Sequence, residues 1–416
     1  ITPFFKSLDP NVLGPGSDVY FATKALAELN SSATATIVEL TAGPTHTMTV
    51  DARGASVSYK VSKDSDGNLE VRSGAQLLYD GAYWQAAPLV AGVDFLNLGG
   101  TTGNDLLTLD FNNGNPIPFG GDGVMPGGTH GITFDGLAGF DGIAMRGSEQ
   151  SDNETIYMED ADSGWIFFEP GPVLATLART EFVVGTTRSV HFDSIEEPID
   201  DVVIVNGEYS VVAQDDMDSE INIINGPFRY GVDTFQITSG ADRTFADINF
   251  ANKKHVHVYG SDDVAANVNP TDTADDIISV FTDDATTPPL LLDLFLYGGD
   301  ALLNADASDD KFVIRPSANF PISASGGDSQ TDMVFLDCAN TNVDNSCSPS
   351  KITGLFPAVV DNGATSTVGI TDAQPVTYSL MEQTALDLNV GFAGADVSID
   401  KVATGWAANG AHPGDE

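Results

Sequence analysis

Residues 104–123 read NDLLTLDFNNGNPIPFGGDG, and residues 309–329 read DDKFVIRPSANFPISASGGDS. With one residue inserted, the two fall into register: an acidic start, an apolar strand, a polar turn, a Pro-Ile pair and a closing Gly-Gly-Asp. A shorter relative, VDTFQIT, begins at Val232. Between these copies lies a second cassette. Residues 132–147 read ITFDGLAGFDGIAMRG and residues 190–207 read VHFDSIEEPIDDVVIVNG; a weaker third copy, KITGLFPAVVDNG, covers 351–363. Each of the first two runs from Phe-Asp through a small residue and Leu or Ile to a second apolar stretch and a Gly. One strand-turn-strand unit cannot cover its own apolar face, so similar units stack and cover one another. The expected fold is therefore all-β: a parallel β-helix or β-solenoid with irregular loops. Tandem β-sandwich domains, each with its own core of roughly 100 residues, are the alternative. The repeat aspartates are expected at exposed turns.

Outside the repeats, short runs such as THTMTVDA, ASVSYKV, NLEVRS and MVFLD alternate with Gly, Asn, Asp and Pro, the pattern of strands and turns. A single short helix is predicted over residues 18–30, with Asp18 as its N-cap. The reading divides the chain into an arm, cap helix and hairpins (1–92), a repeat core (93–371), and C-terminal strands with a tail (372–416). Residues 289–297 form the most apolar run and read as a buried strand, and no stretch approaches the roughly 20 apolar residues of a bilayer span.

Charge narrows the partners. Lys and Arg number 17 against 60 Asp and Glu, a formal charge of −43. Such a field disfavours nucleic acid and anionic lipid and attracts divalent cations. Asp far outnumbers Glu, which suits tight turns and calcium ligation. Cys338 and Cys347 share an Asn-rich loop, CANTNVDNSC, where a local disulfide is expected, and with it secretion into an oxidising compartment. Asn30 and Asn153 head glycosylation triplets.

Residues 309–337 resemble the repeats of very large bacterial surface proteins that form parallel β-helices, in which an acidic start, strand, turn, strand and Gly-Gly-Asp recur. The segment from Val190 resembles their companion unit. The likeness covers about residues 93–371 and makes this chain a cousin of calcium-binding Gly-Asp nonapeptide repeats. It departs from the latter, because the GGDG at 120–123 is not followed by the spacing a stacked calcium roll requires. The resemblance implies a secreted structural protein of a cell surface, matrix or filament, and it carries over no catalytic residues.

Three acidic clusters have the alternate spacing of cation ligands. The set Asp64, Asp66, Asn68 and Glu70 resembles the opening of a calcium loop, though its strand-like flanks equally suit a hairpin with an Asp-Gly turn. Asp160 and Asp162 form a shorter set, and Asp216, Asp218 and Glu220 a third, with a solvated turn as the alternative for each. His255 and His257 lie on one strand face, as a metal pair or as a plain exposed face. The chain contains no Gly-x-Ser-x-Gly and no Cys with a nearby His. The first reading is therefore a non-enzymatic, self-associating structural protein stabilised by calcium, its partners being other copies or other surface components. The rival is a protein that binds or hydrolyses neutral glycans. For that rival the acids of interest are Asp262, Asp263, Asp275 and Asp276, and the sugar-stacking aromatics are Tyr79, Tyr83 and Trp84.

Overall fold

A computed structural model describes residues 37–41, 47–52, 54–81, 93–118, 131–147, 150–151, 153–169, 188–202, 205–213, 219–240, 244–260, 275–282, 291–298, 309–326, 332–337, 360–368, 374–381 and 383–387. The expected helix over 18–30, both cysteines, Asn30, Tyr83, Trp84, Asp216, Asp218, Asp262 and Asp263 lie outside these residues. Among the described residues all helices and strands are strands.

They form two large mixed sheets, a fourteen-stranded sheet A and a thirteen-stranded sheet B. The hairpin β1 (Ile37–Thr41) and β2 (Thr47–Asp51) opens sheet A. The chain crosses to sheet B as β3 (Ser58–Lys63) and doubles back through β4 (Leu69–Ser73) and β5 (Gln76–Gly81). It then alternates between sheets: β6 (Phe95–Thr101) in A, β7 (Leu106–Asp110) in B, β8 (Ile132–Leu137) in A and β9 (Gly142–Arg146) in B. Three strands stay in A: β10 (Gln150–Ser151), β11 (Asn153–Met158) and β12 (Gly164–Glu169). Alternation resumes with β13 (Arg188–Asp193), β14 (Ile199–Asp201), β15 (Val205–Val212) and β16 (Glu220–Asn225). Then β17 (Phe235–Ser239) and β18 (Ile248–Phe250) remain in B.

From there β19 (Lys253–Tyr259), β20 (Ile277–Phe281), β21 (Asp293–Tyr297), β22 (Lys311–Ile314), β23 (Ile322–Ser325) and β24 (Met333–Asp337) alternate again. In sheet A, β25 (Val360–Val368) lies antiparallel to β26 (Val376–Met381), and β27 (Gln383–Asp387) closes sheet B.

The alternating strands pair in parallel with their counterparts one turn later, and the register stacks like on like. On the inner face of sheet A, Val50, Leu98, Phe134 and Phe192 form one column. Val256, Leu294, Ile322 and Val376 form another beyond the midpoint. In sheet B, Tyr59, Leu107 and Ile143 are matched later by Ile278, Phe312 and Val334. These side chains belong to one continuous buried cluster running from Met48 to Tyr378. Each fully buried large apolar side chain contributes about 1.5–3 kcal/mol. Period-two alternation along each strand sets which residues these are.

The second cassette is thus one strand of each sheet joined by a turn, and Phe134 and Phe192 sit directly against each other in register. The first repeat holds for its B strand, with Leu107 and Leu109 matched by Phe312 and Ile314. The VDTFQIT segment differs: β17 runs antiparallel to both its neighbours, β16 and β18. Both sheets also continue past the expected boundaries of the core, through β2 and β3 before residue 93 and β26 and β27 after residue 371.

Candidate functional site

The acidic start of the repeat proves to be an internal device. The B strands β7, β9, β20, β22 and β24 are each immediately preceded by a buried aspartate whose carboxylate accepts a backbone N–H from the preceding turn, and half-buried Glu196 does the same ahead of β14. Asp105 accepts from Val57, Asp141 from Asp105 at 2.6 Å, and Glu196 from Asp141 at 3.1 Å. Past the midpoint the pattern restarts. Asp276 accepts from Ser219 at 2.8 Å, Asp310 from Asp276 at 2.9 Å and Asp332 from Asp310 at 2.9 Å. The reverse bond is backbone: Gly142 donates to the Asp105 carbonyl, Lys311 to that of Asp276 and Met333 to that of Asp310. Each turn is therefore tied to the next by a reciprocal pair.

The expectation that these aspartates close exposed turns is overturned. Asp105, Asp141, Asp276, Asp310 and Asp332 are all at most 3% exposed. A buried amide left without an acceptor costs about 1–3 kcal/mol, and a carboxylate accepts more strongly than a neutral group. Glycine makes room for it. A Cβ at Gly100, Gly136, Gly260 or Gly298 would overlap the carboxylate of Asp105, Asp141, Asp276 or Asp310 respectively. The turn from sheet A to sheet B is thus written as a Gly at the end of one strand and an Asp just before the next. Asp276, considered above as part of a projecting catalytic loop, belongs to this ladder; Asp275 is exposed and accepts from the Asp309 N–H.

Stacking carboxylates has an electrostatic consequence. Burial, with the charges of Asp105, Glu196 and Asp135 adding to it, pushes Asp141 up to about 6 from 3.8. Asp162 also rises to about 6, through burial and then its neighbour Asp160. A carboxyl whose folded pKa is raised stays protonated in the folded chain over a range where the unfolded chain has ionised. Its stabilising effect is present at acid pH and is lost as pH rises through the folded value. The thermal midpoint is therefore expected to fall between about pH 4 and pH 7, and Asp141→Asn should flatten part of that slope. A midpoint that instead rises across this window would contradict the assignment.

At the midpoint the ladder is interrupted and a different cluster takes its place. Lys253 stands at the corner where the chain turns from sheet B into sheet A, just after Asn252, whose φ is 61°. Asn252 fixes that corner by donating its side-chain amide to the Val202 carbonyl at 2.6 Å. Lys253 Nζ lies 2.7 Å from Asp201 Oδ1 and 3.3 Å from Glu154 Oε2, and all three side chains are 0% exposed. The ammonium also lies 4.8 Å from the centre of the Tyr209 ring. Burial, and then the Asp201 charge, hold the Glu154 carboxyl well above the usual range.

The outer face of sheet A carries a second, smaller apolar cluster containing Tyr157, Trp165, Phe167, Val212 and Tyr259. His257 extends it, stacked on Phe295 at 4.6 Å and hydrogen-bonded to Glu208 at 3.0 Å. His255 pairs with Asp293 at 2.8 Å. The two imidazoles share a face, as expected, but engage different carboxylates.

Among the acidic sets, Asp64 sits in the β3–β4 hairpin turn. Its Oδ1 accepts the N–H groups of Asp66 and Asn68, both at 2.8 Å, and its Oδ2 accepts the Asn68 amide at 2.9 Å. The Asn68 side chain is the main cause holding Asp64 below the usual carboxylate range. Glu70 lies on β4 paired with Arg72. Asp160 shapes the β11–β12 hairpin in the same way, accepting from the N–H groups of Asp162 and Ser163. Glu220 begins β16, where Asn222 donates to it at 3.3 Å. Among the described residues, no group of three or more His, Cys, Asp or Glu is placed to hold a metal ion. Asn153 lies in β11 and is buried, 8% exposed. Tyr79 lies in β5 and packs against the main core.

The central cluster was not legible from sequence. Strand alternation puts Lys253 on the outer face with His255 and His257, and only the corner geometry turns it inward. Glu154 was visible only as the middle of a glycosylation triplet. Nothing in the strand sequence KKHVHVY sets Lys253 apart from Lys254. No family model, no curated protein and no solved structure matches this chain.

Proposed function

We propose that this chain is a β-solenoid segment of a secreted structural material, a surface layer, matrix or filament, which associates end to end and performs no catalysis. The observation that carries this reading is the alternation of strands between two sheets with parallel pairing from turn to turn, tied by the carboxylate ladder. Sandwich domains would pair antiparallel and divide the core, whereas the buried cluster here is continuous. Antiparallel strands cover the ends of the stack at β1, at β4–β5 and at β25, while β27 has a paired strand on one side only among the described residues. An open edge invites pairing with another chain. Divalent cations belong to the same proposal, because a formal charge of −43 attracts them to the surface.

Sedimentation velocity tests it. Species larger than one chain are expected to grow with concentration and to disappear in Thr384→Pro, which breaks the β27 edge. A single chain at every concentration, with or without calcium, would refute end-to-end assembly. A thermal midpoint unmoved by calcium would remove the cation from the proposal.

A further inference from the structure

Lys253, Asp201 and Glu154 are neither turn-formers nor part of the ladder. Taking an ion from water into a protein core costs several kcal/mol even after relaxation, so three ionisable groups at 0% exposure form an expensive cluster. Oε1 of Glu154 and Oδ2 of Asp201 are buried, and the Asp201 carboxyl has both the Glu154 carboxyl and the Tyr209 hydroxyl as side-chain hydrogen-bonding neighbours. The arrangement nonetheless suits a reaction. The Lys253 nitrogen is 2.7 Å from an oxygen of the Asp201 carboxyl, which brings it within reach of Cγ. A second carboxyl, Glu154, lies 3.3 Å from the same nitrogen and is free to carry protons. Aromatic rings enclose the site: Tyr209 faces the ammonium and stacks with Phe250, which meets Phe235 edge-on.

We propose that Lys253 and Asp201 become joined by an intramolecular isopeptide bond, Nζ to Cγ, with Glu154 as its acid–base catalyst. A proton first passes from the Lys253 ammonium to the Asp201 carboxylate, giving a neutral amine and a neutral acid. The amine lone pair attacks Cγ. As the C–N bond forms, Glu154, kept in its acid form by burial, protonates the Asp201 carbonyl oxygen. The resulting Glu154 carboxylate takes a proton from nitrogen and gives it to one hydroxyl, which departs as water when the C–O bond breaks. The last hydroxyl proton returns to Glu154. Ammonium and carboxylate become amide and water, with no oxidant or reductant, and the buried charges of the pair are gone. The bond would connect β14 in sheet B to β19 in sheet A, across the inserted strands and 52 residues apart in sequence.

Mass spectrometry of the full chain, folded, then denatured and fully reduced, tests the proposal. The expected mass is lower than that of the sequence by one water. Trypsin should release residues 189–229 covalently attached to 244–254, uncut after Lys253. Glu154→Gln should give the unreduced sequence mass, with folding checked by circular dichroism. Asp201→Asn should lose ammonia in place of water, a change of leaving group that a purely structural role would not produce. A folded wild-type chain that keeps the full sequence mass and yields the two peptides separately overturns the bond, whatever the variants do.

Discussion

Measured against the chain before the Lys253–Asp201 bond has formed, Lys253→Met is expected to lower stability by about 3–5 kcal/mol, read from the urea midpoint at neutral pH. The substitution keeps most of the side-chain volume and removes only the charge, so packing contributes little to the loss. What it leaves is a pair of carboxyls, Asp201 and Glu154, facing each other without a cation at 0% exposure. The companion variant separates this cause from simple damage. Replacing Lys253 by Met together with Glu154→Leu and Asp201→Leu removes every charge at once, and apolar replacements of buried ion clusters are often neutral or stabilising. Most of the lost stability should therefore return. A single variant as stable as the wild type, or a triple variant no better than the single, would show that uncompensated charge is not what the cluster controls.

The second large effect is expected at the ladder. Asp310→Ala removes the acceptor of the Asp276 N–H, buried at 2.9 Å from it, and opens a void under Gly298. The unpaired amide alone costs about 1–3 kcal/mol, and the void adds to that. Asp310→Asn keeps an acceptor oxygen at nearly the same place, so its cost should stay under about 1 kcal/mol. Hydrogen exchange reads the same bond locally. The Asp276 amide should exchange faster in the Ala variant and keep its protection in the Asn variant. Equal destabilisation by Ala and Asn would mean that the negative charge, and not the hydrogen bond, is what the turn requires.

Much of the architecture was legible because it is carried by local patterns. The cassettes beginning at Ile132 and Val190 align on Phe134 and Phe192, and those two residues pair in the sheet. A short apolar strand, a glycine and an aspartate are all that one turn needs, and all three survive in the sequence. The meaning of the aspartate did not, because an acid before a strand reads the same whether it faces solvent or the turn below. Only the partner in space, such as the Asp105 N–H under Asp141, distinguishes the two. The VDTFQIT stretch misled for a related reason. Phe235 and Ile237 are as buried as their counterparts in β22, so the strand copies the inward pattern while running the opposite way. Inward pattern fixes which face is buried and says nothing of direction. The central cluster lay furthest from view, since one backbone corner at Asn252 decides where Lys253 points.

Between the two ladder runs, sheet A gains the strands β12 and β11, and sheet B gains β18 and β17. The numbers match, and the paired sheets resume in step at β15 and β16. Losing either addition alone would leave one sheet two strands short and bring every later column of side chains against the wrong neighbour. The segments around 150–169 and 235–250 are therefore a single heritable unit despite their separation in the chain. Relatives of this protein should carry both or neither, and a length comparison across them would reveal shortening at the two places together.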